Sequence, residues 1–421
     1  MNWQKSVDWL LEIDDENPGV RAFALADLLG RSPNDPDLIS ARQDVMDHGP
    51  VPVILANQEA EGCWVEPGPG YSPKYRGSVW QIIFLAQLAA DGNHPRVKAG
   101  CDYLLDHAVS RHGAFSMNGN PSGQIHCLEG NLAAAMIDLG WLGDARLEAT
   151  LDWLARSVTG EGIAPATERK ADVRYLRSGN SGPGFTCSAN DHLPCAWGAV
   201  KAMLALSKVP EAARTPAMKA AIETGLDFLL GTDPATAEYP MGYSEKPNRS
   251  WFRFGYPIGY VTDVLQNLEV LTTLGYANDP RVRKAIDWLL PTQRDDGMWL
   301  CRAGRRGCLR ATLDVLRLAT LDPRIAALPG ITQAATAVCN LLMEPRMSRY
   351  HVGDAWGMWE CLKYPYFGFS VISALDALAR LGYTPVEPKI AAAVEYLLSL
   401  SLIHISEPTR PSKSSRMPSS A

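Results

Sequence analysis

A helix followed by a glycine turn, repeated along the chain, limits the folds open to this sequence more than any other feature. The clearest copy runs from Asp279 to Trp299, with the sequence DPRVRKAIDWLLPTQRDDGMW. Asp279 is placed to cap a helix that starts at Pro280, where the missing N–H of proline removes no hydrogen bond. The apolar residues within 282–290 fall on one stripe of that helix. A turn rich in Asp and Gly then ends it.

The same signals recur elsewhere in the chain. An acidic residue, an aromatic residue and leucine follow one another at Asp8-Trp9-Leu10, Asp102-Tyr103-Leu104, Asp152-Trp153-Leu154, Asp227-Phe228-Leu229, Asp287-Trp288-Leu289 and Glu395-Tyr396-Leu397. A Gln…Gly-x-Trp turn closes the clearest copy and recurs from Gln58 to Trp64. We expect the Gln293 amide to bond backbone groups of its turn and the Trp299 indole to cover the helix end. A helical period of about 50 residues indicates stacked helix pairs.

From residue 51 onward the apolar pattern predicts two kinds of helix in alternation. Helices that end in the aromatic–leucine unit are predicted near 51–58, 97–106, 147–157, 217–230, 281–292, 333–342 and 389–400. Helices rich in Ala and Leu are predicted near 78–90, 128–140, 195–207, 258–274, 309–320 and 369–381. This alternation favours an inner and an outer ring of helices, although an open solenoid solves the same packing problem.

The two ends of the chain differ from the repeats. Residues 1–50 are predicted to form an N-terminal helical cap, with helices at Val7–Ile13, Pro18–Gly30 and Asp37–His48, and residues 51–399 the repeat domain. The segment LSLIHISEPTR, which starts at Leu400, resembles the translated end of a transposon used to prepare sequencing libraries. We therefore expect 400–421 to be a non-native, disordered tail and the natural protein to be longer.

Composition excludes several classes of function. A net charge of −6 argues against nucleic-acid binding, which needs a basic face. No apolar run reaches the roughly 20 residues that cross a bilayer, so we expect no transmembrane segment. Nine scattered cysteines fit a reducing cytoplasm better than a disulfide framework. We therefore expect a cytoplasmic protein.

The Gln…Gly-x-Trp turns after outer helices, together with paired helices, resemble the terpenoid cyclase and protein prenyltransferase superfamily. The resemblance covers residues 50–400 and is closest to bacterial squalene-cyclase-like proteins with prenyltransferase and squalene oxidase repeats. It is carried further by the segments Lys74–Gly77, Cys127–Leu132, Cys195–Lys201 and Phe254–Pro257. The resemblance implies an all-α fold, an (α/α) toroid of about six inner and six outer helices, with an apolar or isoprenoid ligand in its funnel.

The chain departs from the reactive motifs of that superfamily. It has no Asp-x-Asp-Asp run, with which squalene-type cyclases protonate their substrate, and no Asp-Asp-x-x-Asp run for magnesium. It also lacks the Asp-x-Cys pair with which prenyltransferases bind zinc. The resemblance therefore implies the fold but not a particular reaction.

Thiol and imidazole groups precede the second and third inner helices. In a toroid these helices start at one rim, so Cys127, Cys187, His192 and Cys195 are candidate zinc ligands. Because their spacing matches no established zinc motif, small buried cysteines packed at helix starts are the favoured explanation.

Basic and acidic residues supply two further hypotheses. Lys74 and Arg76 before the first inner helix, and Arg302, Arg306 and Arg310 before the fifth, would suit a diphosphate, unless they face water. Asp263, expected one turn inside the fourth inner helix, is a candidate acid, because an apolar funnel raises the pKa of a carboxyl. His192 is the second candidate catalytic residue. An ordinary hydrogen-bonded carboxylate is the alternative for Asp263.

Aromatic residues cluster before the fourth and sixth inner helices, among them Tyr256, Tyr260 and Tyr366. Their faces would line an apolar or cation-stabilising pocket, or simply pack where helices begin. The leading hypothesis is thus a cyclase-like protein that binds an apolar or isoprenoid ligand, with its catalytic status open. The alternatives are a scaffold that presents its loops to a protein partner, and a lyase or zinc-dependent enzyme on polar substrates, which a carboxylate-lined funnel would favour.

Overall fold

The described part of the chain is built from α-helices. The computed structural model describes residues 11, 13, 18–32, 34–176, 181–240, 249–252, 254, 260–295, 297–299, 309–342 and 371–403. Within these ranges the helices are joined by short 3-10 turns and isolated β-bridges. The prediction of an all-α fold is therefore confirmed. No helix in these ranges is both long enough and apolar enough to cross a membrane.

Sixteen α-helices follow one another in the described ranges, and we number them in chain order. The N-terminal group is α1 (Gly19–Phe23), α2 (Pro36–Asp47) and α3 (Pro50–Ala56). The helices rich in Ala and Leu are α4 (Ser78–Gln87), α6 (His126–Asp138), α8 (Ala196–Lys208), α10 (Val264–Thr273), α12 (Leu309–Ala319) and α15 (Val371–Arg380). The amphipathic ones are α5 (Pro95–His107), α7 (Ala145–Thr159), α9 (Pro216–Gly231), α11 (Pro280–Leu289), α14 (Pro329–Leu341) and α16 (Pro388–Ile403), with the short α13 (Pro323–Ala326) between α12 and α14.

The Ala- and Leu-rich helices pack on one another in series. Each of α4, α6, α8, α10 and α12 contacts the next helix of that set, and the series ends at α15. The closest approach is at Gly130 of α6, where an added Cβ would lie 2.1 Å from the Lys201 carbonyl oxygen of α8. Amphipathic helices pack alongside, as α7 does on α9 and α14 on α16. The alternation that the sequence predicts is therefore present.

The two Gln…Gly-x-Trp turns each tie the preceding helix to the next amphipathic helix. In the first turn, Gln58 Nε2 donates to the carbonyl oxygens of Gly62 and Arg96, both at 2.9 Å. The indole of Trp64 donates to the Ile54 carbonyl at 2.8 Å. Because Arg96 belongs to α5, the turn joins the end of α3 to the start of the next amphipathic helix.

The later copy of the turn repeats this geometry. Gln293 Nε2 donates to Gly297 O at 2.8 Å and to Gly330 O, near the start of α14, at 3.0 Å. The Trp299 indole donates to Leu289 O at 2.9 Å, at the end of α11. The roles that the sequence predicts for Gln293 and Trp299 are therefore confirmed.

The boundaries of two helices, α10 and α16, differ from the sequence-based expectation in ways that bear on the site and on the tail. Helix α10 starts at Val264 and not near 258, because Asp263 accepts a hydrogen bond from the Gln266 N–H and caps it. Helix α16 runs to Ile403, four residues beyond the expected end of the native sequence. The expected helix Val7–Ile13 lies outside the described residues except at positions 11 and 13, and most of the tail lies outside them too.

Candidate functional site

Residues at or near the N-terminal ends of four Ala- and Leu-rich helices, α4, α6, α8 and α10, lie close together. Tyr260, just before α10, lies against Trp80 in the first turn of α4, with ring centroids 5.4 Å apart. Cys127 in α6 interacts electrostatically with Tyr260 and with Lys201 of α8. We call the group formed by Tyr71, Lys74, Tyr75, Trp80, Cys127, Lys201, Tyr260 and Asp263 the rim cluster.

Four aromatic rings in the rim cluster form a box, which we define as Tyr71, Tyr75, Trp80 and Tyr260. Tyr71 stacks on Tyr260 with centroids 6.0 Å apart, and Trp80 lies 4.8–5.6 Å from the rings of Tyr71, Tyr75 and Tyr260. The indole N–H of Trp80 donates to Tyr71 O at 2.8 Å, and this hydrogen bond holds the indole in its orientation. Tyr75 adopts a φ of 67°, a conformation rare outside glycine, and such strain clusters at binding sites.

The ammonium group of Lys74 lies over the aromatic box. Its Nζ is 5.4 Å from the ring centroids of Tyr75 and Tyr260 and 5.8 Å from that of Trp80. Each distance is short enough for a cation–π interaction. The structure thus brings together Lys74 and Tyr260, two of the residues that the sequence proposes for ligand binding. Arg76 is exposed on the same loop.

Two tyrosine hydroxyls belong to the box, those of Tyr71 and Tyr260. The Tyr260 hydroxyl is buried and has no hydrogen-bond partner among the described residues. Burial raises the pKa of both phenols, that of Tyr260 well above its usual value. Both hydroxyls are therefore neutral donors at physiological pH.

The rim cluster also contains a buried cation, Lys201, and a buried carboxylate, Asp263. Lys201 is 1% exposed and Asp263 is 2% exposed. Burial lowers the pKa of Lys201 to about 8, while the charge of Asp263 opposes that shift. Asp263 caps α10 and also accepts from the Gln266 amide at 3.2 Å. It was expected inside the helix, so this placement is a correction, and its capping bonds fit the role of an ordinary hydrogen-bonded carboxylate.

Two further titratable groups lie within α6. Burial raises the pKa of Glu129 to about 8, and its Oε2 has no hydrogen-bond partner among the described residues. Burial also lowers the pKa of His126 to about 3. Because the Ser157 hydroxyl donates to Leu154 O, it accepts from His126 Nε2 at 2.8 Å, which leaves His126 Nδ1 as a bare acceptor.

The three cysteines predicted to bind zinc lie close together, but they do not form the predicted site. Cys187 hydrogen-bonds with Cys195, and both interact with Cys127. His192 is exposed at the tip of the loop between the two cysteines. Across the described ranges no group of three or more His, Cys, Asp or Glu side chains is arranged to hold a metal ion. The set of Cys127, Cys187, His192 and Cys195 is therefore corrected to a thiol cluster.

His192 instead lines a cavity of 340 Å³ in the loop between α7 and α8. Tyr175, Ser181 and Thr186 line the same cavity. The Tyr175 hydroxyl donates to Ser157 O at 2.6 Å, and the Ser157 hydroxyl accepts from His126. The cavity thus adjoins the buried face of α6, whereas the other candidate catalytic residue, Asp263, belongs to the rim cluster.

Several proposed residues lie outside the described ranges. Tyr256, Arg302, Arg306 and Tyr366 belong to this group, and Arg310 is described only as the second residue of α12. Conversely, the sequence reasoning did not single out Glu129, Lys201 or Trp80. A lysine inside an apolar run, CAWGAVKAMLAL, was the available signal for Lys201.

No protein-family model matches the chain, and no curated protein matches it. The function is therefore inferred from the chemistry of the rim cluster.

Proposed function

We propose that the protein is an (α/α) toroid that binds, in its funnel, an apolar ligand which carries or develops positive charge, as an isoprenoid does during cyclisation. The aromatic box around the Lys74 ammonium carries the proposal. Cation–π attraction contributes about 2 kcal/mol when the cation is desolvated. A box that holds an ammonium group suits other organic cations of similar size.

A contact across the helix series supports the toroid. Tyr260 precedes the fourth inner helix, yet it packs on Trp80 of the first. In an open stack, three helix-to-helix steps of about 10 Å each would separate these positions. Curvature into a ring brings opposite inner helices toward a common axis, where their leading loops meet.

The N-terminal ends of the helices around the box suit an anionic head group on such a ligand. The N-cap residues of α4, α6 and α8 make no side-chain capping hydrogen bond. Ser181 Oγ accepts from the first N–H of α6, at His126, and Gly70 O accepts from the Val79 N–H of α4. The positive end of each helix dipole favours an anionic group. An amphiphile with a diphosphate head fits this arrangement, and the buried Lys201 adds positive charge nearby.

Calorimetry with a matched ligand pair tests the proposal. An alkyltrimethylammonium ion and its uncharged tert-butyl isostere differ only in charge, so their ratio of affinities isolates the cation–π contribution. We expect the ammonium to bind about 30-fold more tightly, since about 2 kcal/mol corresponds to that factor. Tyr260→Leu should reduce the ratio several-fold, and Tyr276→Leu, at an exposed tyrosine on another loop, should leave it unchanged. Equal affinity for the two ligands would contradict the proposal.

A second candidate function is acid–base catalysis on a polar substrate. The observation that favours it is that two buried titratable groups, Glu129 of α6 and Lys201 of α8, each have a pKa that burial brings to about 8. Such values suit general acid and base groups near neutral pH. A thermal-shift panel of sugars, acidic peptides, prenyl diphosphates and prenyl alcohols separates the two functions. Stabilisation by the sugars or acidic peptides alone would favour acid–base catalysis on a polar substrate. Stabilisation by the prenyl compounds would favour the binding of an isoprenoid ligand.

A further inference from the structure

The loop between α7 and α8 contains a short hairpin that brings two cysteines together. Cys187 N–H donates to Leu193 O at 3.1 Å, and Cys195 N–H donates to Phe185 O at 2.8 Å. A β-bridge joins Thr186 to Pro194 between these bonds. Both cysteines therefore lie on the same face of the hairpin, and their thiols hydrogen-bond with each other.

The surroundings of the two sulfurs differ. The Cys195 thiol, the Ser181 hydroxyl and the Ala189 N–H lie beside Cys187 Sγ, and the Asn190 N–H donates to Cys187 O at 2.9 Å. The hydrogen bond from the Cys195 thiol is the largest cause that lowers the pKa of Cys187. The hydrogen bond with Cys187 and burial instead raise the pKa of Cys195. The thiolate is thus favoured at one sulfur and the thiol at the other, which is the arrangement of an attacking and a resolving cysteine.

The hairpin is also accessible. Cys187 is half-buried, and its neighbours Ser181 and Thr186 line the 340 Å³ cavity. The third thiol of the cluster differs, because burial raises the pKa of Cys127 to about 12 and keeps it protonated. Cys101 lies fully buried in α5, away from the hairpin, and the pKa of its thiol is also raised by burial.

We propose that Cys187 and Cys195 form a reversible dithiol–disulfide site, in which Cys187 reduces a small hydroperoxide and Cys195 resolves the product. The Cys187 sulfur attacks the terminal peroxide oxygen, the O–O bond breaks, and the leaving alkoxide takes a proton from water. Cys187 then carries a sulfenic acid. The Cys195 sulfur attacks Cys187, the S–S bond forms, and the S–O bond breaks as hydroxide leaves with the Cys195 proton as water. Two thiols lose two electrons, and one peroxide gains them. A dithiol reductant restores both thiols by exchange.

Peptide mass spectrometry of the full chain tests the pairing. Trypsin releases 178–201, which contains Cys187 and Cys195 and no other cysteine, whereas Cys127 lies in 112–146. After one equivalent of hydrogen peroxide at pH 7, we expect 178–201 to be lighter by two hydrogens and closed to alkylation. Cys127→Ser should leave this result unchanged. A disulfide between the two peptides, or oxidation spread evenly over all cysteines, would overturn the proposal.

The separate roles of the two cysteines have their own test. In Cys195→Ser the sulfenic acid has no resolving thiol, so dimedone should trap it on Cys187. In Cys187→Ser, Cys195 should stay unmodified. The rate of Cys187 alkylation by iodoacetamide should level off at a lower pH than that of an ordinary thiol, which gains reactivity up to about pH 8.5. Trapping on Cys195 instead, or a rate that rises to pH 9, would contradict the assignment.

Discussion

Glu129 lies in the first turn of α6, fully surrounded by protein. A carboxyl in an unfolded chain has a pKa of about 4.3, and burial raises the pKa of Glu129 to about 8 in the folded protein. Between these values the folded state binds one proton more than the unfolded state. The contribution of Glu129 to stability is therefore greatest at low pH and is lost as the pH rises toward 8.

Glu129→Gln should remove this pH dependence. The amide mimics the neutral carboxyl, so the variant and the parent protein should have similar free energies of unfolding at pH 5. At pH 8.5 the variant should be more stable by about 4 kcal/mol, since each pKa unit is worth about 1.4 kcal/mol. Urea unfolding at both pH values measures the difference. Glu223→Gln, at an exposed position of α9, is the control, and identical behaviour of the two variants would contradict the buried carboxyl.

The burial of Glu129, His126 and Lys201 was not predictable from their local sequence. All three lie on α6 or α8, which neighbouring elements cover on nearly every side, so the apolar stripe of an amphipathic helix gives no guide to which residues are enclosed. The contact that encloses Lys201 depends on Gly130 of α6, 71 positions earlier in the chain.

At the scale of the elements, glycine in the Gln…Gly-x-Trp turn has two functions. Gly297 adopts a φ of 80°, and a Cβ added there would lie 2.6 Å from Ala337 Cβ of α14. The turn therefore needs glycine both for its backbone conformation and for close packing on α14. Gly275 has a similar φ of 92°, but an added Cβ meets nothing within 4 Å.

These two glycines separate conformational strain from packing. Gly275→Ala should destabilise the protein by about 1–2 kcal/mol, the cost of a left-handed conformation for alanine. Gly297→Ala should lose about 2 kcal/mol more, because the new methyl group overlaps α14 and overpacking adds a cost of that size. Chemical denaturation of both variants gives the comparison. Equal losses would show that the turn is not pressed against α14.

The elements were the most predictable level of this structure. Caps, proline starts and apolar periodicity act within a few residues, so the sequence placed most helices close to their observed ends. The Gln293 bond to its own turn was predictable for the same reason. Its second bond, to Gly330, was not predictable, because Gly330 belongs to α14, a later helix in the chain.

At the scale of the whole molecule, the proposed ring makes a distance prediction. Spin labels on non-natural residues at Gln87 and Arg380, the last residues of α4 and α15, mark the two ends of the inner series. A closed ring makes these helices neighbours, about 10 Å apart before the label arms are added, whereas an open arc separates them by about five steps, or about 50 Å. A double electron–electron resonance distance near 50 Å would rule out the toroid.

The candidate site was predictable in part at this scale. In the predicted toroid the inner helices start at one rim, which places Lys74, Tyr260 and the cysteines near one another. The structure brings these residues together. The partners of Lys74 in the aromatic box were not predictable. Trp80 and Tyr260 are 180 positions apart, and only the arrangement of the helices brings their rings into contact.

The most direct test of the account is the affinity of an alkyltrimethylammonium ion for Lys74→Ala. Lys74 places its own ammonium over the rings that we propose as the ligand's site, so it competes with a bound cation. Removing it should strengthen binding about tenfold, the equivalent of about 1.4 kcal/mol, as measured by titration calorimetry. Lys98→Ala, at an exposed lysine of α5, should leave the affinity unchanged. Unchanged or weaker binding to Lys74→Ala would contradict the aromatic box as a cation site.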